Sequence, residues 1–301
     1  MKPKIFDRFK SLKIWEIFVV STLIAVYSGY LYWKVFISQK EEEALKKEAV
    51  VFIKKVKPIY ISLTSPYGIP PVENCDSVNP YIYTKVVSLE SLPVPERKKR
   101  FISLMLPSIL IENFEIEQKR DLVLKIKEKF ENNQELLPVE EKFLSDMFEK
   151  YRVENINDLL KRLNISPVSI ILAQAAIESG WGTSRFFVEA NNVFGVWTFN
   201  KNDAYKIKAK KSNAYLKKYD NILQAVDDYY YSINVGWAYE NFRLVRLQTD
   251  DPLLLTNHLE KYSILRKVYV QRLKSIIVSN DLQKYDNCRI NPDFIYTDIL
   301  R

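Results

Sequence analysis

The side chain with the most chemical promise ends an apolar run. In AQAAIESGWGTSRF (173–186) Glu178 is the only carboxylate, and Gly180 and Gly182 follow it at once. The run reads as a helix, capped by Ser166 with Pro167 at its first position and stopped at Gly180. Being apolar on most sides, it belongs inside a core. Gln174 lies one turn before Glu178 on the same face. A carboxyl in the last turn of such a helix meets the negative end of the helix dipole, and partial burial acts in the same direction. Both favour the protonated form, which a general acid needs in order to expel a sugar oxygen. The plainer alternative is a helix-end glutamate bonded to a loop.

Composition removes competing chemistries. There is one histidine, His258, and two cysteines, Cys75 and Cys288. A structural zinc site usually takes four such ligands and a catalytic one about three. Neither can be built here without leaning on carboxylates, so no metal and no cofactor are expected. A Ser-His-Asp or Cys-His machine would depend on His258, near which no nucleophile motif stands. With six glycines and no phosphate-loop pattern, nucleotide cradles are excluded as well. Of the net charge of +8, residues 1–13 carry +4 (five Lys or Arg against Asp7). The mild basic remainder suits an anionic polymer or a membrane surface. No aromatic-basic nucleic-acid motif appears, so no nucleic-acid partner is expected.

Around this site the chain divides into five expected segments. Residues 1–13 form a basic cytoplasmic tail, and 14–36 a transmembrane anchor, uncharged from Ile17 to Trp33 with Trp15, Tyr30, Tyr32 and Trp33 at its ends. The basic flank predicts an exported remainder and therefore a single-pass protein of the bacterial inner membrane facing the periplasm or cell surface. A cleaved signal peptide is the alternative, but no small-x-small cleavage site follows the run. Residues 37–95 read as a charged stalk and a linker, because Pro58–Pro95 holds seven prolines between short β-prone runs. Residues 96–285 form the globular domain and 286–301 a tail. In an oxidising exterior Cys75 and Cys288 either pair or remain two free thiols. The domain reads as mainly α (α+β): helices at 97–130 (ended or kinked by Pro107), 139–150, 155–163, 221–234, 239–248, 252–261 and 266–282, and a hairpin at Thr198–Tyr219.

AQAAIESGWGTSRF and NNVFGVW (191–197) together closely resemble the signature of bacterial glucosaminidases, peptidoglycan hydrolases with a lysozyme-like helical fold. FISLMLPSILIEN (101–113), YYYSINVGWAYENFRLVR (229–246), Tyr262-Ser263 and Tyr269-Val270 bring the resemblance closest to the Bax-type branch. It covers roughly residues 96–283. It implies that Glu178 is the general acid and that the β-1,4 bond on the reducing side of N-acetylglucosamine is cut within peptidoglycan strands. It further implies that Trp181, Asn192, Phe194 and Gly195 shape the cleft floor, and that Tyr262 lines the cleft opposite the acid. Trp197, Tyr215, Tyr219, Tyr239 and Gln174 join the expected substrate-binding set, Tyr219 at an aromatic position suited more to packing, and Tyr262 joins Glu178 and Asp203 as an expected catalytic residue.

One departure concerns the second acid. Tyr215 stands where relatives place it, and the hairpin holds only Asp203; Asp220, Asp227 and Asp228 read as solvated helix starts. Glycosidases ordinarily use two carboxyls. Two mechanisms follow: the substrate's 2-acetamido group acts as nucleophile, or Asp203 swings in as a base. The competing functions are a lytic transglycosylase or muramidase on the same fold, and a glycan-binding protein with a decayed site.

Overall fold

The computed structural model describes residues 14–48, 50–198, 206–208 and 215–300, and these fall into two units. The first is essentially one helix, α1 (Ile14–Glu48). Within it Ile17–Lys40 is long and apolar enough to cross a membrane, by length and composition, and its side chains are exposed. At about 1.5 Å per residue that segment exceeds the roughly 30 Å of a bilayer core. Its hydroxyls are satisfied locally: Ser21 and Thr22 donate to the carbonyl of Phe18 at 2.8 Å, and Ser28 donates to that of Ile24. A helix in hydrocarbon needs this internal pairing, because lipid offers no acceptors. The helix also runs on through the first part of the expected stalk.

The second unit begins at Val51, well before the expected domain start at 96. The prolines and short runs that suggested a linker fold into the core. Strands β1 (Phe52–Val56), β2 (Ile59–Ser62) and β3 (Tyr81–Lys85) come from this arm, with β2 and β3 paired in parallel. Leu63, Ile69, Val78, Ile82, Tyr83, Val86, Leu89 and Leu92 are all buried. Their hydrophobic transfer, at about 1.5–3 kcal/mol per large side chain, outweighs the disorder that the proline content suggested. Arg97 locks the arm's end by donating to the carbonyls of Leu89, Glu90 and Leu92 at 2.9–3.2 Å.

The long helix α2 (Val94–Glu131) follows, and Pro107 neither ends it nor divides it. Every residue from Phe101 to Asn113 is buried. That packing holds the helix through a proline which would cost about 3 kcal/mol in isolation. Next come α3 (Pro138–Tyr151) and α4 (Ile156–Arg162), then α5 (Val168–Ser179), which carries Glu178. α5 is buried at every position from Val168 to Ala176 and packs against α2. Its start differs from expectation. Pro167 occupies the N-cap position, and the Asp286 carboxylate accepts from the Ser169 amide (2.7 Å) and hydroxyl (2.9 Å). A distant carboxylate thus does the capping expected of Ser166, whose hydroxyl instead accepts from Arg246 at 3.0 Å.

After α6 (Arg185–Ala190) the expected hairpin is a small three-stranded sheet. Strands β4 (Trp197–Thr198), β5 (Lys206–Lys208) and β6 (Tyr215–Lys217) lie antiparallel with β6 central. Then follow α7 (Ile222–Val235), a 3-10 turn at Trp237–Tyr239, α8 (Glu240–Val245), α9 (Pro252–Leu255), a 3-10 stretch at Thr256–Tyr262, and α10 (Lys267–Ser279), which packs on α5. The expected tail is part of the fold. Strand β7 (Ile295–Ile299) pairs antiparallel with β1, from Phe52 opposite Ile299 to Val56 opposite Ile295. Cys75 and Cys288 form a disulfide with Cα atoms 4.4 Å apart, which settles the open pairing question. The mainly helical α+β class expected from sequence is what the chain adopts.

Candidate active site

The glycines after Glu178 have separate tasks. Gly180, Trp181 and Gly182 all take left-handed backbone, with φ of 60°, 58° and 79°. Gly180 is the C-cap of α5, and the Trp181 amide returns to the carbonyl of Ala176 at 3.0 Å. Gly182 makes room for the arm: a Cβ there would stand 2.9 Å from Leu89, whose amide donates to the Gly182 carbonyl at 3.1 Å. The Ser179 hydroxyl ties the turn inward, donating to the carbonyl of Ala175 and accepting from the Gly182 amide. The chain therefore leaves α5 sharply, and Glu178 stays half-buried at the helix end.

Three side chains stand in line behind the carboxyl. The Tyr269 hydroxyl, from α10, donates to Glu178 Oε1 at 3.0 Å. Gln174 Nε2 donates to the Tyr269 oxygen at 3.2 Å, and Gln174 Oε1 accepts from the Tyr229 hydroxyl at 2.6 Å. Gln174 is fully buried, so this amide can be tolerated only because both its ends are engaged. Burial raises the Glu178 pKa above its ordinary value, and the Tyr269 bond partly opposes that rise. Burial likewise drives the Tyr262 and Tyr269 hydroxyls far above the usual range and Tyr239 up to about 12, with Glu178 adding to each. These phenols stay neutral donors at any physiological pH.

Aromatic rings extend from this line. Tyr262 stacks on Tyr269 (centroids 5.5 Å, planes 11° apart) and lies 6.2 Å from Tyr239 and 6.5 Å from Tyr229. Phe194 is buried and stacks on Tyr229 at 4.4 Å. The structure thus brings Glu178, Gln174, Phe194, Tyr239 and Tyr262 into one neighbourhood. Trp181 turns toward α2, edge-on to Phe101 at 5.7 Å with the Lys98 ammonium 5.2 Å over its ring. Asn192 is spent on the main chain, donating to the carbonyls of Val196 and Lys217 and accepting from the Val196 amide. It holds the loop in which Gly195 takes φ 66°. Trp197 is 49% exposed on β4, and Tyr215 sits on β6 under the Lys206 ammonium. Tyr219 is a buried packing residue whose hydroxyl donates to Asp228 at 2.6 Å. Asp203 lies outside the described residues.

The other acids are committed elsewhere. Asp228 accepts from Lys217, Asp227 pairs with Lys150, and Asp220 bonds with Gln224 at the start of α7. Among the described residues no cluster of His, Cys, Asp and Glu could hold a metal ion. Sequence reasoning picked Tyr262 as the tyrosine facing the acid, whereas the direct donor is Tyr269, seven residues later. Its signal was the Tyr269-Val270 pair already noted in the resemblance. Tyr229 opens the YYYSINVGWAYENFRLVR stretch, but nothing in that stretch marks its role, which depends on Gln174 lying 55 residues away in sequence.

Residues 153–282 match the family model for glucosaminidase, described as mannosyl-glycoprotein endo-beta-N-acetylglucosaminidase. Two curated proteins are similar to this chain. Protein bax of Escherichia coli (strain K12) is 29% identical over 163 residues, 50% of this chain and 56% of that protein. Exo-glucosaminidase LytG of Bacillus subtilis (strain 168) is 27% identical over 158 residues, 47% of this chain and 52% of that protein. The chain thus spans about half the length of the curated relatives it matches. The catalytic domain of the autolysin Auto from Listeria monocytogenes aligns over 56% of this chain and 87% of that one, at 19% identity and a TM-score of 0.34. That superposition is too loose to pair individual residues.

Proposed function

We propose that this chain is a membrane-anchored glycoside hydrolase that cuts peptidoglycan strands internally, at the β-1,4 bond after N-acetylglucosamine. The observation carrying the reading is Glu178: a half-buried carboxyl with a raised pKa, fixed by one phenol donor, inside a glucosaminidase-type domain. In this reading protonated Glu178 gives its proton to the glycosidic oxygen as the C1–O bond breaks. Tyr269 holds Oε1, which leaves the other carboxyl oxygen to carry the proton. In this reading the substrate's 2-acetamido oxygen bonds to C1 in place of a protein nucleophile, since Asp220, Asp227 and Asp228 are engaged with Gln224, Lys150 and Lys217. Water then opens that intermediate and returns a proton to Glu178. The Asp203 alternative predicts instead that Asp203→Asn abolishes turnover, whereas the acetamido route predicts that it does not.

Helix α1 supports the anchoring, through its length, its apolar surface and its internally bonded hydroxyls. With a basic segment before it, the catalytic unit would face the periplasm or cell surface. Alkaline extraction of membranes should leave the full chain in the pellet. Mass spectrometry of digested peptidoglycan tests the chemistry. Reducing-end N-acetylglucosamine on fragments of varied length supports internal cleavage. Release of single sugars or disaccharides from chain ends alone would show an end-acting enzyme, and 1,6-anhydro-muramic acid would show a lytic transglycosylase.

A further inference from the structure

Trp237 is 80% exposed, an unusual state for a large indole in an otherwise well-packed domain. Yet the turn that carries it is rigidly built. Gly236 caps α7, its amide donating to the carbonyl of Ser232, and a Cβ there would lie 2.5 Å from that oxygen, so the bend admits no side chain. The Arg243 guanidinium, itself buried, donates to the carbonyls of Ile233 (2.9 Å) and Gly236 (2.8 Å) and clamps both sides of the bend. Fixing an exposed tryptophan in this way wastes apolar surface unless something packs on it.

The turn is continuous with the acid. Tyr239, on the same 3-10 turn, lies 6.2 Å from Tyr262, which stacks on Tyr269, the donor to Glu178. Beside Trp237 opens a small recess of about 110 Å³ edged by Asn241, Asn257, His258 and Glu260. The Lys261 ammonium stands 5.2 Å over the indole ring and steadies its plane. A flat apolar plate bordered by short polar groups matches one ligand chemistry well. A pyranose presents carbon-bound hydrogens on its faces and hydroxyl or acetamido groups on its edge.

We propose that Trp237 is the stacking platform of an outlying sugar subsite, gripping the glycan strand away from the bond beside Glu178. The proposal rests on the glycan-cleaving reading and deepens it, since internal cleavage requires a hold on sugars beyond the scissile pair. The test uses the full chain in detergent micelles, with Glu178→Gln present so that the ligand stays intact. The probe is a soluble hexamer of β-1,4-linked N-acetylglucosamine, titrated by intrinsic fluorescence and checked by co-sedimentation with insoluble peptidoglycan. Trp237→Ala should weaken binding about tenfold. Trp237→Phe should restore most of it, and neither should move the melting temperature appreciably, because the side chain is exposed. Equal affinity in the Ala variant, or no binding by the Glu178→Gln parent, overturns the proposal. Should wild type release no new reducing ends while Trp237→Ala still loses binding, hydrolysis is refuted and the subsite stands.

Discussion

Two glutamates on neighbouring helices, one buried and one half-buried, differ in how they meet solvent. Glu112 sits in the middle of α2, 6% exposed, where burial first and Asp227 second push its pKa up to about 7. Glu178 sits at the end of α5, half-buried, raised by burial but restrained by a hydrogen bond from Tyr269. On titration alone Glu112 looks the better acid. What it lacks is an exit: residues 101–113 are buried throughout, whereas α5 ends beside Glu178 in three left-handed residues that carry the chain away. Desolvation favours the protonated form of both carboxyls, but only Glu178 keeps part of its surface in solvent, where a substrate could reach it.

The largest expected effect separates the two directly. Glu178→Gln should lower turnover on peptidoglycan by about 10²–10⁴-fold with the fold retained, while Glu112→Gln should keep most activity. A turbidity assay that ranks them the other way would move the catalytic role into α2. The second effect is on stability. Because the folded pKa of Glu112 lies near 7 against an ordinary 4.5, the folded state holds a proton that the unfolded state loses between those pH values. Stability from this group is complete below pH 4.5 and lost as pH rises toward 7, by up to about 3 kcal/mol. Urea midpoints should therefore show Glu112→Gln gaining on wild type from pH 4.5 to 7 and level afterwards; a difference independent of pH would mean the carboxyl is not protonated in the fold.

The smallest effect concerns Tyr269. Its bond lowers the Glu178 pKa, and a general acid loses activity as pH rises through its own pKa. Tyr269→Phe should thus shift the descending limb of the pH–rate profile upward. It should also cost about 1–2 kcal/mol of stability, since Gln174 is left with an unpaired buried N–H. A limb that stays in place would show that the phenol does not tune the acid.

Much of this site was legible in the chain because its logic is local. The apolar run, the single carboxylate and the two glycines lie within a dozen residues, and their spacing alone places Glu178 at a helix end. The arm at 51–95 was illegible for the opposite reason. Its apolar residues are scattered among prolines and acquire meaning only against α2 and the turn at Gly182. Tyr269 and Asp286 show the same limit: each serves α5 from about a hundred residues downstream, one at the acid and one at the helix start. Periodicity describes what a helix buries, but not which distant side chain will complete it.

The pairing of β1 with β7 also sets an order of events. A ribosome delivers Phe52–Val56 well before its partner Ile295–Ile299, and the Cys75–Cys288 bridge spans 213 residues. Until Cys288 and Ile295–Ile299 emerge, the nascent arm has neither its covalent tie nor its strand partner. The arm's Leu89 is also what seats the turn after Glu178. A chain stalled or truncated before residue 295 would therefore carry Glu178 without the full support of the arm, because β1 and the arm whose Leu89 seats that turn depend on residues that emerge more than a hundred positions later.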